Sequence, residues 1–153
     1  MKRIGFIADT HGLLRPEAVA VLTGSDLIIH AGDVGGPEIL AGLGVLAPVV
    51  AVRGNNDRGS WAESLAETAV VECAGLVCYV LHDLQELAID PAAEGIGAVV
   101  SGHSHRAAIR KDAGVLYLNP GSAGPRRFKL PVSVALVDVV DGTPLPRIEW
   151  IAV

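Results

Sequence analysis

Apolar residues along this chain come in short runs, broken by Gly, Pro, Asp or Asn. Seven runs rich in strand-forming residues read as β-strands: 3–8, 26–29, 48–52, 76–81, 98–100, 132–140 and 147–151. Segments 15–22, 37–43 and 84–94 carry apolar residues at helical spacing. Strand and helix alternate through the N-terminal portion, the order that parallel pairing with crossover helices produces. From about Ala69 strands follow one another with fewer helices, which predicts a second sheet with hairpins packed on the first. No linker, repeat or low-complexity tract interrupts the pattern, so 1–153 is expected to be a single domain.

Five of the apolar runs end in polar clusters, and in a parallel sheet such positions gather at the carboxyl edge. The clusters are Asp9-Thr10-His11, His30-Ala31-Gly32-Asp33, Gly54-Asn55-Asn56-Asp57, His82-Asp83 and Gly102-His103-Ser104-His105, and they hold all five histidines. Asp9 and His11, two apart in extended chain, would point to the same side and grip one ion together; His103 and His105 repeat the spacing. Imidazoles, carboxylates and one amide oxygen suit divalent Mn, Fe, Zn or Ni better than a thiolate-bound structural zinc does. Seven convergent ligands exceed the needs of one ion, whereas two ions sharing a bridging carboxylate, assigned to Asp33, use them all.

Each cluster alone has an ordinary reading. An Asp after a strand commonly caps a turn, and 54–59 is good turn chemistry. His30 continues a strand, which fits a hydrogen-bonded core residue better than a ligand. The joint placement favours the metal reading, since independent turns do not require histidines at separate strand ends. Other motifs fail in context. Gly42-Leu43-Gly44-Val45-Leu46-Ala47 fits a dinucleotide-binding string but precedes a strand, with Pro48 where a helix should run, and is expected to be a loop. Gly102-His103-Ser104-His105-Arg106 lacks the closing Gly of a nucleophile elbow. No Lys lies in a P-loop context.

Composition narrows the classes further. At 153 residues and 50% hydrophobic, the chain has material for a sizeable core, yet no apolar stretch is long enough to span a bilayer. The run after Lys2 and Arg3 ends at Asp9, too early for a secretory signal, so a cytoplasmic location is expected. Twelve basic against 17 acidic residues give a net charge of −5, which disfavours bulk nucleic acid as a partner. Positive charge for a phosphate ester would have to be local, from metal or a few arginines. Cys73 and Cys78 flank a turn at Ala74-Gly75 and are expected to be reduced core residues.

The ordered strings Asp9-Thr10-His11-Gly12, His30-Ala31-Gly32-Asp33, Arg53-Gly54-Asn55, His82, Gly102-His103-Ser104-His105 and Asn119-Pro120-Gly121-Ser122 resemble the calcineurin-like metallophosphoesterases, specifically their small single-domain microbial phosphodiesterase branch. That resemblance implies an α/β fold, a four-layer α-β-β-α sandwich of two mixed sheets. It implies that Asp9, His11 and His105 hold one metal and Asn55, His82 and His103 the other, with Asp33 between them. Asp33, Asn55 and His82 would also carry the catalytic role, and Asn119 to Ser122 looks like the family's strand-leading turn. Asn56 and Arg126 are the candidates for substrate contact, and Asp57 either orients a neighbour or caps its turn.

Two departures stand out. Many superfamily members carry a His after the ligand Asn, and the branch often a Cys, where this chain has Asn56. The branch often shows His-Gly-His around the fourth ligand, where this chain reads His82-Asp83-Leu84. The implied function is hydrolysis of a small phosphodiester by a hydroxide activated by two divalent metals, Mn first, with Ni, Fe, Zn or Mg as alternatives. A phosphomonoesterase or nucleotide pyrophosphatase would use the same metals. A non-catalytic interaction scaffold, as in the retromer sorting subunit that resembles this family, tends to lose ligands that this chain keeps. No membrane partner is expected, and homo-oligomerisation is left open.

Overall fold

The computed structural model describes residues 1–127 and 129–153. Strand β1 (Lys2–Ile7) alternates its side chains, so Ile4 and Phe6 enter the space between two sheets while Ile7 faces the helices. Helix α1 (Pro16–Leu22) crosses to β2 (Leu27–His30), and α2 (Pro37–Gly44) crosses to β3 (Val49–Ala51), giving the parallel β1–β2–β3 pairing expected of alternating elements. Each helix carries a Pro in its first turn, where the missing N–H costs nothing. Gly5 lets α1 pack closely, because a Cβ there would press on Leu22 and Ser25. Gly42 and Gly44 of the dinucleotide-like string lie in the last turn of α2, so only the remainder of that string is loop.

After the short α3 (Ser60–Glu63) comes the second sheet: β4 (Thr68–Cys73), β5 (Leu76–Leu81), β6 (Ala98–Val100), β7 (Ala108–Asp112) and β8 (Val115–Asn119). Its order is β4-β5-β6-β8-β7, with parallel pairs in the middle and a hairpin at each edge. The β4–β5 hairpin turns at Ala74-Gly75, both at positive φ, and registers Cys73 against Leu76 rather than Cys78. Both cysteines are free. Strands β9 (Val132–Val140) and β10 (Thr143–Ile151) then return to the first sheet as an antiparallel hairpin, completing the order β10-β9-β1-β2-β3.

Between the sheets lies one apolar core, with Ile4, Phe6, Ile29 and Val137 meeting Cys78, Val80, Val100 and Leu118. A second cluster fills the space under α1 and α2. The outer face of the second sheet is covered differently from expectation. The expected helix over 84–94 is a single 3₁₀ turn, Leu84–Glu86, followed by irregular chain. Leu84 and Leu87 still pack on Val99 and Val115, but Pro91 and the turn at Gly95 leave too short a stretch for a helix to propagate. Among the described residues no helix is long and apolar enough to cross a membrane.

Candidate metal centre

The expected polar clusters do meet at one edge, yet extended spacing is not what aims them. Asp9, His11, Asp33, His103 and His105 all have left-handed backbone, with φ between 47° and 69°. Such conformations are uncommon for residues with a Cβ and are held only where surroundings over-determine them. Here the loops after β1 and β2 are laced together: Asp9, His11 and Gly12 donate their N–H groups to the carbonyls of Gly32, Asp33 and Val34. Ala74, Ala113 and Asp141, the other non-glycine residues at positive φ, each precede Gly in a hairpin turn.

The ligand candidates then converge. Oδ1 of Asp9 lies 3.6 Å from His105 Nε2, 3.8 Å from His82 Nε2 and 4.0 Å from His11 Nε2. Oδ2 of Asp33 lies 3.2 Å from His82 Nε2 and 3.7 Å from His11 Nε2. The imidazoles form two pairs, His11 stacked on His105 at 5.4 Å and His82 edge-on to His103 at 5.1 Å. Asn55 joins the second pair, its Oδ1 being 3.3 Å from His103 Nδ1.

Asp9 Oδ1, His11 Nε2 and His82 Nε2 are buried and have no hydrogen-bond partner among the described residues. Unpaired buried polar atoms are rare and ask for an explanation. The 3.2 Å from Asp33 to His82 lies in the ~3–3.5 Å range of ligands bonded at ~2.1 Å to a common ion. The other separations, 3.6–4.0 Å, are too long for hydrogen bonds but leave Asp9, His11 and His105, and Asp9, Asp33 and His82, in groups compact enough to close on an ion. The donor set therefore fits divalent metal.

Electrostatics point the same way. Burial pushes the Asp9 carboxyl up to about 7; His82 opposes that rise and Asp33 adds to it. Asp33 is also desolvated, but His82 and two donors from Asn56 hold it below the usual carboxylate range. His82 loses by burial yet is raised on balance by Asp33 and the Ala31 carbonyl. With Nδ1 bonded to Ala31 O at 2.8 Å, its Nε2 is the atom turned to the carboxylates. Burial lowers His105 to about 4, with Arg127 and His11 contributing.

His30 is the core residue its position implied. Gly32 N–H donates to Nδ1, Nε2 faces the Thr10 hydroxyl at 2.9 Å, and Thr10 donates onward to Val34 O. Complete burial lowers its pKa to about 3, so it is neutral. Asp57 both caps and orients, accepting from Gly54, Val34 and Gly35 and so tying the Asn55 loop to the Asp33 loop. Asn56, a candidate for substrate contact, donates its backbone and side-chain N–H groups to Asp33. Arg126 is exposed without an ion pair among the described residues; the charge that reaches Asp9 and His105 is that of Arg127.

Asn119 does more than lead into a strand. Its amide holds Gly102 O and Ser104 Oγ, fixing the His103–His105 loop, while Ser122 donates to Asp9 O. Asp83 lies 3.7 Å from His103 across the mouth of the site, and nothing in the sequence beyond its place after His82 signals that contact.

The model of the calcineurin-like phosphoesterase superfamily domain matches residues 1–142. A probable metallophosphoesterase of Methanothermobacter thermautotrophicus is 35% identical over 145 residues, covering 87% of this chain and 84% of that protein. Among solved structures, an archaeal phosphodiesterase superposes with a TM-score of 0.73 at 20% identity, covering 96% of this chain and 99% of that one. Vps29 of Entamoeba histolytica complexed with zinc superposes at 0.71 and 23% identity, covering 97% and 98%. These two likenesses concern the fold, whereas the match to the family model takes in every loop that carries a candidate ligand, from Asp9 to His105. The chain belongs to the calcineurin-like phosphoesterase superfamily.

Proposed function

We propose that this protein is a phosphodiesterase that hydrolyses a small phosphodiester with two divalent cations, Mn first among the candidates and Ni, Fe, Zn or Mg after it. The carrying observation is the buried group of unpaired ligand atoms on Asp9, His11 and His82, beside two imidazole pairs. Asp9, His11 and His105 would hold one ion, Asn55, His82 and His103 the other, with Asp33 shared. When bound, the ions supply Lewis acidity that acidifies water and offsets phosphoryl charge.

The chain's own residues prepare that site. Asp33 stays anionic under its Asn56 donors, and Ala31 fixes the His82 ring so that Nε2 faces inward. The Ser104 hydroxyl is engaged by Arg106 N and Asn119 Nδ2, and Cys73 and Cys78 lie in or against the core away from the site, which supports water as the nucleophile. Free Cys73 and Cys78 suit the cytoplasmic, single-domain protein we envisage.

Metal analysis coupled to assays on matched chromogenic mono- and diesters tests this. Chelated protein should be inactive, Mn should restore activity at two ions per chain, and the diester should be the faster substrate. Undiminished activity after confirmed metal removal would overturn the mechanism. Preference for the monoester would reassign the substrate class, and two bound ions without turnover of either ester would identify a scaffold.

A further inference from the structure

The centre opens on two clefts of different chemistry, parted by His103 and Asp83, which line both. One, about 350 Å³, is walled by Glu67, Tyr79, Glu86 and Arg53, and that arginine is already paired with Glu67 at 3.2 Å. The other, about 330 Å³ and mostly apolar, runs over Leu84 and Leu118 beside Tyr117, Arg106 and Arg110. Among the described residues neither Arg106 nor Arg110 makes an ion pair, although the chain as a whole is acidic.

Arg110 and Tyr117 are direct partners across the β7–β8 hairpin, and the guanidinium lies 4.1 Å from the centre of the ring. Strand pairing thus holds a flat cationic and aromatic surface beside the residue that walls the centre. Planar groups stack on such guanidinium and aromatic faces, and a cleft of this volume suits a ligand of nucleoside size.

We propose that this arginine-walled cleft is the subsite for one arm of the diester, and that the arm is a planar aromatic group, an aryl or a nucleoside; this rests on the phosphodiesterase reading above. A phosphate at the centre adjoins His103, so a substituent leaving it on that side enters the cleft directly. In the opposite cleft Arg53 is taken up by Glu67 and Glu86 adds a further negative charge, which leaves it to an uncharged arm.

The test is calorimetric titration of AMP and methyl phosphate into the Mn-loaded protein, in wild type, Arg110→Gln and Tyr117→Leu, with folding checked by circular dichroism. Arg110 is exposed on an edge strand, so its replacement leaves the core intact. AMP should bind wild type about tenfold or more tighter than methyl phosphate, the margin one stacked base supplies. In both variants the ratio of the two affinities should fall toward one. Equal affinities in wild type, no measurable AMP binding, or a ratio that survives both substitutions would overturn the subsite. The ratio is read without turnover, so absence of diester hydrolysis would count against the phosphodiesterase reading and not against the subsite.

Discussion

Asp9 and Asp33 stand beside the same imidazoles yet are set up oppositely, one pushed toward neutrality by burial and the other held ionised by its donors. If Asp33 is the shared ligand, Asp33→Asn removes a charge and an oxygen common to both ions. Metal analysis should then show both sites emptied together and turnover lost, whereas Asn55→Ala should retain one ion. Two retained metals and near wild-type turnover in Asp33→Asn would rule out the bridging assignment. Asp9 makes a pH prediction for the metal-free protein. Its folded value of about 7 lies above the ~4 of an unfolded aspartate, so its contribution to stability is complete below pH ~4 and lost as pH rises through ~7. In chelator, Asp9→Asn should therefore melt alongside wild type near pH 4 and several degrees above it at pH 8. A difference that does not grow with pH would refute the buried-charge account. His30 runs the other way: with a folded value of about 3 it contributes fully above its unfolded pKa of ~6.5 and loses that contribution as pH falls toward 3.

At the scale of elements, strands stop and left-handed turns take over at the point where the candidate ligands stand. Five left-handed candidate ligand positions persist because neighbouring loops share hydrogen bonds and because glycines let them touch. Gly54 makes one of the closest such approaches, since a Cβ there would fall on the backbone nitrogen and carboxylate of Asp33. Gly54→Ala should accordingly displace Asp33, cutting metal affinity by an order of magnitude or more and lowering thermal stability by on the order of 2 kcal/mol or more. Gly44, at the end of α2, has open space where a Cβ would stand, with nothing within 4 Å of it. There Ala should be neutral or stabilising by up to ~1 kcal/mol. Equal effects of the two substitutions, by metal titration and thermal melting, would show that close approach is not what Gly54 provides.

Across the whole molecule, two sheets share one core and present their parallel strands' carboxyl ends to the same edge. The candidate ligands come from both sheets: Asp9, His11, Asp33 and Asn55 follow β1 to β3, while His82, His103 and His105 follow β5 and β6. Metal should thus bind the sheets together as well as complete the site. We expect one cooperative thermal transition for 1–153, shifted upward by Mn. At a hundredfold excess over its dissociation constant each ion adds ~2.7 kcal/mol, several degrees for a chain of this length. Two separate transitions, or a melting temperature indifferent to Mn, would contradict that coupling.

The alternation of apolar runs and turn residues was sufficient for the parallel half of the first sheet, because period two and helical spacing are local properties of the chain. That the candidate ligands would gather was legible for a related reason: Asp9, His11, Asp33, Asn55, His82, His103 and His105 each follow a strand, and strand ends converge in this topology. Strands β4, β7 and β8 were not legible as separate elements. In β7 all five residues are exposed and charged ones predominate, so pairing with β8 rather than any apolar pattern makes it a strand. Segment 84–94 had helical spacing but folded as irregular cover, since contact with Val99 and Val115 needs only the apolar side chains and not a helix. Left-handed φ at the ligands, the tie from Asn119 to the His103 loop and the stack of Arg110 on Tyr117 depend on segments that meet only after folding. Local sequence determines which residues are available for chemistry; long-range hydrogen bonds and packing decide where their atoms point.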